Sequence, residues 1–65
     1  VGRNEEAIKV LKDALEIDSK YAEAYRLIGV AQLQLKQNKE ACASFAKAKE
    51  LGDPNVDALI EKHCK

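Results

Sequence analysis

The side chains of this sequence with the widest chemical range are two cysteines and a histidine: Cys42, His63 and Cys64. A closed zinc site needs four ligands, and no fourth accompanies them. His63 and Cys64 are neighbours, and neighbouring residues on a helix point about 100° apart, which also suits a nucleophile–base pair poorly. We therefore expect neither a metal site nor a catalytic centre here, and we interpret His63 as a partly buried residue at the edge of the last helix.

The two cysteines lie symmetrically about a predicted turn. The turn between the last two helices centres near Asp53, and positions 42 and 64 each lie eleven residues from it. An antiparallel hairpin would bring Cys42 and Cys64 to the same level, within reach of a disulfide. A bridged pair would indicate a periplasmic or extracellular protein. The alternative is two buried thiols acting as small hydrophobic side chains in a reducing cytoplasm.

The composition limits the remaining classes of function. Eleven basic and eleven acidic residues cancel, and aromatic residues make up 5% of the 65, so we expect no nucleic-acid partner. No apolar run is long enough to cross a bilayer, and no glycine-rich phosphate loop is present, so we expect neither membrane insertion nor a cofactor. The sequence starts at Val1 and contains no methionine, so we expect its natural N-terminus to lie outside it.

The spacing of apolar residues predicts four helices. The first ends at Ile17 and carries a stripe of Ile8, Leu11 and Leu15. The second, from Tyr21 to about Lys36, is apolar on most faces and should be enclosed by its neighbours. The third runs to Leu51, just before Gly52, and Pro54 opens the fourth. The predicted N-caps are Asn4, Asp18 or Ser19, Asn38 and Asp53.

The chain repeats itself with a period of about 34 residues. The shift pairs residues of equal or similar type at seven positions, and small and large residues stay in phase there. The pairs are Asn4 with Asn38, Glu6 with Glu40, Ala7 with Ala41, Leu11 with Phe45, Ala14 with Ala48, Glu16 with Glu50 and Ile17 with Leu51.

These positions resemble the tetratricopeptide repeat family. The family pattern has an aromatic, an apolar residue and glycine in the first helix, then alanine, an aromatic and alanine in the second, followed by proline. The matching residues are Tyr25, Ile28, Gly29, Ala41, Phe45 and Ala48. Gln32 replaces a second aromatic of the first helix, and Pro54 comes one residue late, with Gly52 as the insertion.

The resemblance implies an all-α fold of antiparallel helical hairpins, a segment of an α-solenoid. Residues 1–21 would be the second helix of a partial repeat and its linker, 22–53 a complete hairpin, and 54–65 a C-terminal capping helix. The chain would then be the C-terminal end of a longer array, and its first helix would lack the cover of a preceding helix. Gly29 would allow a neighbouring backbone to approach, with Ala41 or Ala48 at the contact.

The resemblance also implies a binding surface. In such repeats the first helix lines a groove that receives a peptide or helix. Here the groove residues would be Glu23, Arg26, Val30, Leu33 and Gln34. Alternatively, Val30 and Leu33 only cover the next helix. Relatives that clasp a chaperone's C-terminal carboxylate have lysine and asparagine where Arg26 and Val30 stand, which argues against that ligand.

Three functions remain open from the sequence. The first is a non-enzymatic protein–protein interaction scaffold that binds a peptide or helix of a partner of unknown identity. The second is structural self-assembly, with homo-oligomers formed through the stripe of Ile8, Leu11 and Leu15. The third is a regulatory appendage of an enzyme encoded outside these residues.

Overall fold

The computed structural model describes residues 3–64, and within them the chain forms four α-helices and no strand. The helices are α1 (Arg3–Ile17), α2 (Ala22–Gln34), α3 (Asn38–Glu50) and α4 (Val56–His63). The all-α expectation is confirmed. Parts of the first and last predicted segments, Val1, Gly2 and Lys65, lie outside the described residues.

Helix α2 is the centre of the fold, as its apolar surface on most faces predicts. It packs against α1 on one side and α3 on the other, and α4 packs on α3. Five of its thirteen residues are buried, whereas α1 contains no buried residue. The enclosure predicted for this helix is confirmed, and the first helix is covered on one side only.

The core consists mainly of small residues. Ala41, Phe45, Ala48 and Val56 are fully buried and form one cluster, which we call the Phe45 cluster. Phe45 and Val56 are its largest fully buried side chains. Because alanine buries little area, the stability of this core depends strongly on the phenylalanine.

Gly29 makes room for the Phe45 ring. A Cβ atom added at Gly29 would lie 2.5 Å from Cε1 and 2.7 Å from Cδ1 of that ring. The expected contact with Ala41 or Ala48 is therefore wrong: glycine is needed at this position because the aromatic ring lies against its Cα.

Helices α2 and α3 end in the same hydrogen-bonded motif. After α3, the N–H groups of Gly52 and Asp53 donate to the carbonyls of Lys49 and Ala48, each at 3.0 Å. This is the Schellman pattern, and Gly52 adopts the left-handed φ of 97° that it requires. The predicted role of Gly52 after the third helix is confirmed.

After α2, the N–H groups of Lys36 and Gln37 donate to the carbonyls of Leu33 and Gln32, at 3.0 and 2.8 Å. Here Lys36 occupies the left-handed position, with φ of 63°. A lysine side chain is disfavoured in this conformation, so this helix end is strained relative to the glycine end of α3.

The four predicted N-caps are wrong. Asn4 and Asn38 lie inside the first turns of α1 and α3, and the residues preceding α2 and α4 are Tyr21 and Asn55. Asp18 instead accepts a hydrogen bond from the backbone of Lys20 at 3.1 Å. Short polar side chains bond to local backbone in turns as readily as at helix starts, which explains the misplaced cap at Asp18.

Candidate functional site

A concave surface lies between α1 and α2. It is an open groove of about 830 Å³. Its floor is apolar and is formed by Ala7, Val10, Leu11, Leu27, Val30 and Ala31. Its rim is polar and is formed by Arg3, Asn4, Glu6, Lys9, Asp13 and Gln34. Two floor residues are substantially exposed, Val10 at 64% and Leu27 at 38%, so apolar surface is available for a ligand.

The five residues predicted to line one groove are divided among three places. Val30 and Gln34 line the groove between α1 and α2. Glu23 and Arg26 line a smaller depression of about 330 Å³, beside the loop of residues 52–55. Leu33 packs against the Phe45 cluster, and Val30 also contacts it. The α2 helix therefore presents two separate surfaces.

Arg26 already has protein partners. Its Nε donates to Oδ2 of Asp53 at 2.7 Å, and its Nη2 lies 3.5 Å from Oε2 of Glu23. Asp53 is buried and its other oxygen accepts the N–H of Asn55 at 2.8 Å. The sequence does not reveal this pair, because Asp53 before Pro54 has the pattern of a helix cap and no local pattern links residues 27 positions apart.

A second polar pair links α2 and α3. Ser44 Oγ donates to Oε1 of Gln32 at 2.7 Å. Gln32 is 9% exposed, so this hydrogen bond satisfies a side-chain oxygen that is largely removed from water. The residue that departs from the repeat pattern is thus part of the contact between the two helices.

The two cysteines meet at the far side of α3. In the structure Cys42 and Cys64 form a disulfide, with their Cα atoms 5.7 Å apart. His63 is exposed, so its predicted partial burial is wrong. Among residues 3–64, no group of three or more His, Cys, Asp or Glu side chains is placed to hold a metal ion.

Over the described part of the chain, no helix combines the length and apolar character needed to cross a membrane.

Two protein-family models match this chain. The model described as TPR repeat matches residues 2–36, more than half of the chain, and the model described as tetratricopeptide repeat matches residues 22–51. The chain belongs to the tetratricopeptide repeat family, whose members generally mediate protein–protein interactions. No curated protein and no solved structure matches it.

Proposed function

We propose that this chain is a non-enzymatic protein-interaction module, and that the groove between α1 and α2 receives an amphipathic helix of a protein partner. The proposal rests on the contrast between two equivalent helix faces. On α3, the small and large core residues are fully buried beneath their neighbours: Ala41, Phe45 and Ala48. Their counterparts one repeat earlier are only partly buried or exposed: Ala7, Leu11 and Ala14.

The apolar floor favours a helix over an extended peptide. A helix satisfies its own backbone N–H and C=O groups, whereas an extended segment needs hydrogen-bond partners that an apolar floor does not supply. The described residues also contain no strand to which such a segment could add. Along α1 the groove extends from Arg3 to Asp13, which corresponds to about 15 Å, or roughly three turns of a partner helix.

The rim indicates the polar character of that partner. Along α1 the rim charges alternate in sign: Arg3, Glu6, Lys9 and Asp13. They cancel, so the groove favours neither an acidic nor a basic segment. We expect a partner helix with one apolar stripe, flanks of mixed charge, and a small residue over Leu11, equivalent to Gly29 over Phe45.

The proposal uses only part of the surface predicted from the sequence. Val30 and Gln34 remain in it. Arg26 and Glu23 are omitted because Arg26 is held by Asp53, and binding a ligand carboxylate would leave that buried carboxylate without its partner. Leu33 acts mainly in the contact with the Phe45 cluster.

A binding experiment with a defined probe tests the groove. The probe is a fluorescent peptide with the sequence of α2, held helical by a side-chain staple, because α2 is the helix that covers the equivalent face of α3. Fluorescence anisotropy would compare the wild type with Val10→Glu and with Ala46→Glu, a control on the exposed face of α3. We expect Val10→Glu to weaken binding at least tenfold and Ala46→Glu to leave it unchanged. Equal binding to all three would contradict the proposal.

The same variants separate this function from self-assembly. Ile8, Leu11 and Leu15 are half-buried, whereas Val10 is the exposed large apolar residue of α1 in the groove. Sedimentation equilibrium over a range of concentrations would detect a second copy in the groove. Self-association that disappears in Val10→Glu would assign the groove to a second copy of this chain, and a monomer at every concentration would exclude a second copy as its occupant.

A further inference from the structure

Cys42 and Cys64 fix one end of α4. Cys42 lies in the second turn of α3, and Cys64 directly follows α4. Their Cα separation of 5.7 Å lies within the range that disulfides require, and both residues are half-buried. The pair therefore joins the C-terminal end of α4 to α3 by a covalent bond.

Packing also holds α4 to the rest of the fold. Val56, at the start of the helix, is fully buried, and Leu59 and Ile60 pack partly against the Phe45 cluster. The Lys49–Asp57 ion pair, at 3.3 Å, has both side chains 63% exposed, so it contributes little. A helix of eight residues is not stable by itself in water. Packing thus anchors α4 from Val56 to Ile60, and the Cys42–Cys64 bond adds a covalent link beyond it, at Cys64, which also packs against the Phe45 cluster.

We propose that Cys42 and Cys64 are a reversible dithiol–disulfide switch for α4. When the pair is oxidised, the C-terminal end of α4 is fixed over the Phe45 cluster. When the pair is reduced, this end separates from α3 and exposes Leu59 and Ile60. The switch is independent of the proposed groove, which lies between α1 and α2.

The chemistry requires a dithiol reductant or a small-molecule disulfide as the second reactant. One thiolate of the reductant attacks a protein sulfur, the Cys42–Cys64 bond breaks, and a mixed disulfide forms. The second thiolate of the reductant then displaces the protein sulfur. The protein gains two electrons and two protons, and the reductant becomes a disulfide. In the oxidised protein, the carbonyl oxygen of His63 lies 3.8 Å from Cys42 Sγ, so the end of α4 is held close to α3.

NMR chemical shifts of the 65-residue chain test the proposal. The protein would be equilibrated with oxidised glutathione or with dithiothreitol, and free thiols counted in each state. We expect no free thiols in the oxidised state and two in the reduced state. On reduction, the helical Cα secondary shifts of residues 56–63 should fall by more than half, whereas those of residues 22–34 should remain within a tenth of their oxidised values.

The control is the double variant Cys42→Ser, Cys64→Ser. It should reproduce the reduced spectrum and show no response to dithiothreitol, and if it does not fold, the two wild-type states still decide the question. Unchanged shifts in α4 on reduction would overturn the switch. Two other results would also overturn it. One is an equal loss of helical Cα secondary shift in α2, which would mean that the bond stabilises the whole fold, and the other is two free thiols after oxidation. Val10→Glu should leave the redox response intact, because the groove lies between α1 and α2. The switch can therefore fail or succeed independently of the proposed groove function.

Discussion

Arg26 on α2 donates a hydrogen bond from Nε to Oδ2 of Asp53 at 2.7 Å, across 27 positions of sequence. The Asp53 side chain is 3% exposed and that of Arg26 is 21% exposed. The second oxygen of Asp53 accepts the N–H of Asn55. One carboxylate therefore ties α2 to the connection between α3 and α4 and organises the turn that leads into α4.

Replacing Arg26 by methionine should destabilise the fold by about 2 kcal/mol, because it leaves a buried carboxylate without its charged partner. Asp53→Asn should also destabilise it. The double variant should lose less than the sum of the two, since neither charge then remains unpaired. Urea denaturation of all four proteins would measure these differences, and simple additivity would show that the ion pair contributes nothing to stability.

The close contact between Gly29 and Phe45 gives a second prediction. Gly29→Ala places a methyl group against the Phe45 ring, and we expect a net loss of about 1–2 kcal/mol, although alanine is the better helix former. In a Phe45→Leu background, Gly29→Ala should cost less than in the wild type, because leucine lacks the ring. Thermal unfolding of the two single variants and the double variant would test this, and an unchanged or raised melting temperature for Gly29→Ala would refute it.

The left-handed Lys36 gives a third prediction. Lys36→Gly removes the side chain that disfavours a φ of 63°, so we expect a gain of about 1 kcal/mol in the free energy of unfolding. Lys39→Gly is a matched control, because Lys39 is exposed and lies within α3, where glycine should cost about 1 kcal/mol. Chemical denaturation would measure the free energy of unfolding of both variants and of the wild type. A loss of stability in both variants would show that the αL position contributes no strain.

Much of the fold could be predicted because it rests on short-range patterns. The apolar spacing gave the four helices, and the 34-residue self-similarity placed Phe45 and Leu11 in equivalent positions. Helix starts were mispredicted because Asp18 and Asp53 bond to turn backbone, a choice that the local sequence does not reveal. The partner of Gly29 was missed because an aromatic ring, rather than a neighbouring alanine, fills the space beside it.

The candidate site was less predictable. Its residues on α2 were proposed from one helix, but a groove needs two walls, and its other wall is α1. In the sequence alone Arg26 has no evident partner, but in the fold it donates a hydrogen bond to Asp53. Side chains that are far apart in sequence and meet in the fold leave no local pattern, so a single sequence cannot show which charges are already paired.

The uneven burial of α1 and α2 also bears on the order in which the chain folds. The α2–α3 hairpin has most of the buried residues and joins neighbouring helices, so we expect it to form the folding nucleus. Helix α1, with no buried residue, would dock after the transition state. Mutations in α1 should then accelerate unfolding while leaving the folding rate nearly constant, so that the lifetime of the native state is set largely by its least buried helix.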